Sequence, residues 1–528
     1  MSTARLGSNN TSKTDVCILG AGMAGLTLAR QLLQTDSSLS ITLVEHRQFP
    51  APLGAHKVGE STVEIAAHYL AENLCLKTHL ERDHLPKFGL RLFVRGDEAI
   101  HNDLAQYDEI GVSKVLPIQT YQLDRGRFEN YLATELINQG VDLRQNTTVR
   151  KIDLRPGKHR VTIRNDDQEQ TICARYLVDA SGRRAWLREQ MSLTRKVRHT
   201  NNAVWFRTDA RFELESWSAD QSWRNRVSDT PRHLSTNHFT GPGYWLWLIP
   251  LAGDCTSVGL VFDPNRVEVS DVNKHENLLR WLSHEHPLIA EKLADHEPRD
   301  FHVLKDYAVN SEQLFSADGW MLSGDSGAFT DPFYSPGADF IAFANGFITE
   351  LITKQEGAEK YQQFQNYYLR FFANTLSLYR GQYGGFGDRN LMVLKTIWDF
   401  TYYWGTLSRL FFTSKYADST FMDANQAVLT QGAALNTKMQ RKFRTMAKNT
   451  ERVGGQGRFF DHHALPLFHT MKQDLLTPNL DNTSLDLQHA VGKLGQLSEL
   501  TSDVLARLDG GQDMPALDEL GQEAVFSS

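Results

Sequence analysis

The chain has 528 residues, 41% of them hydrophobic and 23% charged, which is ordinary for a folded protein and excludes extended disorder. Its 56 basic and 63 acidic residues leave a net charge of −7, so there is no basic excess to meet nucleic-acid phosphates. The four cysteines, Cys17, Cys75, Cys173 and Cys255, stand too far apart for a disulfide framework or a CxxC zinc site.

This length accommodates two to four domains. The first fourteen residues are polar and small, without the apolar core of a signal peptide, and no run of about 18 apolar residues follows. A cytoplasmic location is the expectation. One feature of composition stands out: 28 Phe, 16 Tyr and 10 Trp, many of them in the last third.

The first element is a strand, Asp15-Val16-Cys17-Ile18-Leu19. It enters Gly20-Ala21-Gly22-Met23-Ala24-Gly25, and a helix-spaced run starts at Leu26. A second strand, Ser40 to Val44, ends at Glu45. Each glycine has a mechanical reason. Gly20 permits the tight turn, Gly22 lets backbone approach a pyrophosphate, and Gly25 lets helix and strand pack closely. The helix N-terminus offers free N–H groups to phosphate, and Glu45 can accept from both ribose hydroxyls. The bland alternative is a plain tight turn. The fingerprint by itself does not separate FAD from NAD.

Three later segments extend the pattern. Tyr121-Gln122-Leu123-Asp124-Arg125 opens an amphipathic helix. Tyr176 to Gly182 is a strand ending in Asp179 and a small-residue turn. Trp320 to Ala328 is a strand ending in Gly324-Asp325. Together they resemble the para-hydroxybenzoate hydroxylase type of FAD oxidoreductase. Three motifs narrow the resemblance to flavin-dependent halogenases: Trp245-Leu246-Trp247-Leu248-Ile249-Pro250, Gly59-Glu60-Ser61-Thr62, and Asp331-Pro332-Phe333-Tyr334-Ser335-Pro336-Gly337.

The resemblance implies an α/β fold. A discontinuous Rossmann-type FAD-binding domain would span 1–350, with a β-rich substrate domain interleaved at about 85–120 and 190–310. A helical C-terminal region at 351–475 and a terminal helix with a loose tail at 476–528 would follow. It places FAD against Gly20, Gly22, Met23, Ala24, Gly25, Glu45, His46, Arg47, Gly59, Glu60, Ser61, Arg125, Asp179, Gly182, Gly324, Asp325, Pro332, Gly337 and Ala338. It gives Trp245 and Trp247 the task of keeping substrate from the flavin. It also implies that reduced FAD from a separate flavin reductase, with O2, oxidises chloride or bromide to hypohalous acid. Lys87 would relay the halogen to an electron-rich aromatic, of phenol or pyrrole type, free or tethered to a carrier protein. Lys57 is the competing lysine, but it precedes the Gly59-Glu60-Ser61 segment and is expected to face the cofactor.

Two departures from the family pattern matter. Tryptophan halogenases carry a glutamate where this chain has Tyr334, which points to the phenol or pyrrole branch. Pro336 stands where the best-known members offer a backbone N–H to halide, and proline has none. Gly337 N–H and the Ser335 hydroxyl remain as halide donors. A flavin monooxygenase or dehydrogenase of the same fold is therefore the alternative reading.

From about residue 360, Phe364, Tyr367, Tyr368, Phe371 and Phe372 recur at helical spacing, and Trp398, Phe400, Tyr402, Tyr403 and Trp404 follow. Core packing is the first expectation and a substrate wall the second. His462, His463 and His469 fit no metal-ligand spacing, so no metal is expected.

Overall fold

The computed structural model describes residues 11–54, 57–96, 100–166, 168–228, 230–449, 453–512 and 514–515. The loose tail expected after Gly510 falls largely outside them.

The first sheet has seven strands. Thr11–Leu19 lies at its centre, parallel to Ile41–Val44 on one side and to Gln168–Asp179 on the other. Asp142–Arg144 adds a parallel strand beyond Ile41–Val44, and Trp320–Leu322 pairs in parallel with the end of Gln168–Asp179. His159–Asn165 and Thr147–Asp153 complete the sheet in antiparallel fashion. The register aligns Leu19 with Val44 and Asp179, and Asp179 with Leu322. Parallel strands in register end at one edge. The turns at Gly20, Glu45, Ala180 and Ser323 therefore emerge together, where open α/β sheets bind ligands. Helices Met23–Thr35, Arg125–Asn138 and Gly337–Thr353 cover this sheet and share one apolar core with it.

The second sheet has eight strands, in the order Pro298–Leu304, Asn202–Thr208, Cys255–Phe262, Tyr244–Leu251, Thr236–Gly241, Leu90–Val94, Asp108–Gly111 and Phe459–Asp461. Every residue of Tyr244–Leu251 is buried, so this strand is covered on both faces. Tyr244, Leu246 and Leu248 pack towards His275–Glu285 and Pro287–Leu293. Trp245, Trp247, Ile249 and Leu251 pack towards the C-terminal helices.

The C-terminal region is not wholly helical. Phe459–Asp461 pairs in parallel with Asp108–Gly111 and returns the chain to the second sheet. A three-residue strand of two phenylalanines carries no periodicity by which it could be recognised. Around it stand the helices Ala358–Ser377, Arg389–Tyr402, Gln426–Asn449, Pro466–Leu476 and Thr483–Asp509. The last buries Leu487, Val491, Leu494, Leu497 and Val504 along one face. No described helix is long and apolar enough to cross a membrane.

Candidate active site

At the shared edge of the first sheet, the Glu45 carboxylate accepts from Ala21 N at 2.9 Å, Arg47 N at 3.0 Å and His46 Nδ1 at 2.8 Å. The glycine turn leaves no room for side chains. A Cβ on Gly20 would stand 2.5 Å from Ala180 O, and one on Gly25 would stand 2.0 Å from Gly20 O. A Cβ on Gly22 would meet Lys57 Nζ at 2.9 Å, and one on Gly59 would meet Arg125 at 2.9 Å. Lys57 thus stands at the glycine cradle. Met23 N donates to Glu129 at 3.1 Å, and Lys57 and Arg125 both pair with that buried carboxylate. Burial pushes the Asp325 carboxyl up, while Arg183, Arg125, Lys57 and Arg188 draw it down. A Cβ on Gly182 would meet open space.

This cradle fits a dinucleotide such as FAD. The N–H groups of Ala24 and Gly25 in the first helical turn, Lys57 beside Gly22 and Arg125 beside Gly59, and an acid at the end of the second strand are the donors and acceptors that pyrophosphate and ribose require. Asp179 serves the same edge indirectly. It accepts from Ser181 N and Leu187 N and so fixes the turn that carries Gly182. Glu60 is a correction to the sequence reading. Its carboxylate turns to Arg207 at 2.9 Å in the second sheet, and Arg207 also holds Asp300 at 2.6 Å. Its carbonyl accepts from Leu123 N. The side chain therefore ties the Gly59-Glu60-Ser61 segment to the second sheet.

Lys87 ends the short strand Leu85–Lys87, which pairs with Thr120–Gln122. It is 8% exposed. Its ammonium donates to Ser61 Oγ and to Thr62 O, both at 2.9 Å, and Ser61 bonds Thr236 at 2.8 Å. The Gly59-Glu60-Ser61 segment thus positions the lysine. Burial lowers the Lys87 pKa to about 8, against the pull of Glu64 and Asp339. Lys87 opens onto a cavity. Tyr334, Ser335 and Pro336 of the loop, Ile118, Phe340 and Phe343, and Tyr379, Phe400, Tyr402, Tyr403 and Trp404 line it.

The aromatic third therefore divides. Phe364, Tyr368, Phe371 and Phe372 pack into the core behind Phe340, Phe343 and Phe347. The segment from Tyr379 to Trp404 supplies cavity wall. Sequence reasoning missed four charged wall residues: Glu64, Asp339, Asp399 and Lys472. Asp339 accepts from Ala66 N at 2.9 Å and Tyr403 Oη at 2.8 Å, and burial raises its carboxyl to about 8. The sequence signal for Asp339 was its place in the first turn of an apolar helix, two residues after Gly337.

The loop Asp331–Gly337 connects cradle and cavity. Asp331 is buried and accepts from His199 at 2.6 Å, Tyr307 at 2.8 Å and Tyr383 at 2.5 Å. Ser335 has φ +59°, and its N–H is taken by Pro332 O at 2.9 Å. Gly337 and Ala338 open the helix Gly337–Thr353, so their N–H groups have no intrahelical acceptor. Trp245 donates to Tyr383 Oη at 2.9 Å and packs edge-on to Phe333 at 5.2 Å. Trp247 donates to Ser257 Oγ at 3.1 Å. Neither indole lines the cavity; Trp245 packs on Phe333, and Trp247 packs on Trp245.

The family model described as tryptophan halogenase matches residues 104–377, more than half of the chain. The chain belongs to the tryptophan halogenase family. Its members are flavin-dependent enzymes, and FAD is the group that fits the cradle described above. The chain is 29% identical over 375 residues to the flavin-dependent halogenase chlA of Dictyostelium discoideum, covering 65% of this chain and 61% of that relative. It is 24% identical over 368 residues to the 1H-pyrrole-2-carbonyl-[peptidyl-carrier protein] chlorinase of Pseudomonas fluorescens, covering 65% and 77%. In fold it is similar to halogenase PltM solved with phloroglucinol and FAD, with a TM-score of 0.64, 17% identity, and 93% and 96% of the two chains covered.

Proposed function

We propose that this chain halogenates an electron-rich aromatic ring, using chloride or bromide, FAD and O2. The observation that carries this reading is the place of Lys87: buried, held by Ser61 and Thr62, and opening onto a cavity whose other wall is the flavin-side loop. When bound and reduced, FAD supplies, with O2, the two-electron oxidation of halide to hypohalous acid. The protein's part is placement and exclusion of water. Gly337 and Ala338 N–H groups, with the Ser335 hydroxyl, are the donors left for halide beside Pro336. Phe333, Trp245 and Trp247 close the apolar layer behind the loop. Two of the three Lys87 N–H groups are bound to Ser61 and Thr62, and the third is available to hold the oxygen of hypohalous acid.

The substrate reading is a phenol or pyrrole-type ring, free or on a carrier protein. The apolar aromatic wall and the absence of a glutamate at Tyr334 support it, as does the similarity to a pyrrole-carrier chlorinase. A separate flavin reductase would supply reduced FAD. The test is to incubate the chain with FAD, a flavin reductase, NADH, bromide and an activated phenol, and weigh the product. A gain of one halogen that disappears in Lys87→Ala, with peroxide release retained, supports the reading. A gain of oxygen alone supports the monooxygenase alternative that Pro336 suggests.

A further inference from the structure

The cavity holds a second buried lysine for which the reaction above has no use. Lys472 lies on the helix Pro466–Leu476, nearly 400 residues after Lys87 in the chain. It is 2% exposed, lines the same cavity, and stands 4.4 Å above the Trp404 ring. Its one recorded ion-pair partner among the described residues is Glu64 Oε1, at 3.5 Å. That is a long contact for an ammonium with three donors.

Asp399 is matched by Lys395 at 2.7 Å and accepts from Tyr334 at 3.0 Å. Asp339, raised to about 8, holds its proton at neutral pH. Among the described residues Glu64 is the one wall carboxylate at ion-pair distance of Lys472, and Lys472 in turn holds down the charge on Lys87. Two ammoniums thus share this wall with one carboxylate, Glu64, at ion-pair distance of Lys472. In a site lined by aromatic rings a weakly paired ammonium is costly, and an anionic oxygen on the ligand would relieve it.

We infer that Lys472 is a specificity-determining residue that holds an anionic oxygen, phenolate or carboxylate, on the aromatic ring offered to Lys87. This rests on reading the cavity as the substrate site. The ring would lie between the two amines, with its oxygen at the Lys472–Glu64 end and the reacting carbon towards Lys87. The recognition comes from the C-terminal region, from a helix anchored by Arg409 to Asp474 at 3.4 Å.

The test is binding, so it needs neither halide nor turnover. FAD-loaded protein is titrated calorimetrically with benzoate, with 4-nitrophenol at a pH where it is ionised, and with neutral benzamide. The expected result is that Lys472→Met and Lys472→Gln each weaken at least one anion tenfold or more. Benzamide should change less than twofold, and Lys472→Arg should restore most of the loss. Loss confined to benzoate assigns a carboxylate, and loss confined to 4-nitrophenol assigns a phenolate. FAD content is measured for each variant, and the glutamine variant decides if the methionine variant fails to fold. Undiminished binding of both anions in a folded variant overturns the inference. A chain that never halogenates still answers this experiment, so the two readings fail separately.

Discussion

The Lys87 ammonium donates to the Ser61 hydroxyl at 2.9 Å. The residue pair joins the segment after the first βαβ unit to the cavity wall, and it fixes the amine where burial has lowered its pKa to about 8. If the ammonium is the working form, as hydrogen-bond donor to hypohalous acid, halogenation falls as pH rises through about 8. The pH profile of kcat/KM for an activated phenol measures this, with peroxide release followed in parallel as the flavin control. A rate that rises across the same range means that the neutral amine reacts, through a haloamine.

Pro336 removes one N–H from the loop proposed to hold halide, and Ser335 N is already bonded to Pro332 O. Its φ of −78° and ψ of −5° suit other residues as well. Pro336→Ser adds a donor without changing the backbone. One added hydrogen bond to an anion is worth about 1.5–3 kcal/mol at most, so the KM for chloride should fall by roughly tenfold or somewhat more. Steady-state rates against chloride concentration test it. An unchanged KM places the halide elsewhere than beside residue 336.

Trp247 depends on a glycine across the strand. A Cβ on Gly259 would sit 2.1 Å from the Trp247 ring, a rigid neighbour that cannot yield at its tip. Gly259→Ala should destabilise the fold by ~1–3 kcal/mol through overpacking. The same substitution in a Trp247→Phe background should do much less harm. Denaturant midpoints of the four proteins close the double-mutant cycle. Equal losses in both backgrounds would mean that the clash does not involve Trp247.

These cases show what was legible in the chain and what was not. The cradle was legible because its parts are local: Gly20, Gly22, Gly25 and Glu45 fall within one βαβ unit, and their roles follow from spacing. Lys87 was picked out by the family resemblance alone, and the structure places it at the end of a short strand on the cavity wall. Lys472 could not be named, since its approach to Glu64 is made by a helix some 400 residues away and depends on how that helix docks. The aromatic third was half legible. Phe364 and Phe400 belong to helices of similar composition and period, yet one faces the core and the other the cavity. Glu60 was misread for a related reason. A motif gives residue type and place, but the partner Arg207 comes from a strand that only the tertiary fold brings near.

Asp339 gives a prediction about stability. In the folded chain its carboxyl keeps its proton up to about pH 8, because burial disfavours the charge, whereas the unfolded chain releases it near 3.8. Between those values the folded state binds one proton more than the unfolded state. Unfolding then releases a proton, so stability falls as pH rises from about 4 to about 8, with a slope of up to ~1.4 kcal/mol per pH unit. Asp339→Asn cannot ionise; its amide oxygen can still accept from Ala66 N, and its amide NH2 can donate to Tyr403 Oη. Its stability relative to the parent chain should therefore climb steadily over that range and level off above pH 8. Urea midpoints of both proteins at pH 5, 6, 7 and 8 measure the difference, in which the other titrating groups cancel. Parallel curves would mean that Asp339 is ionised in the folded chain.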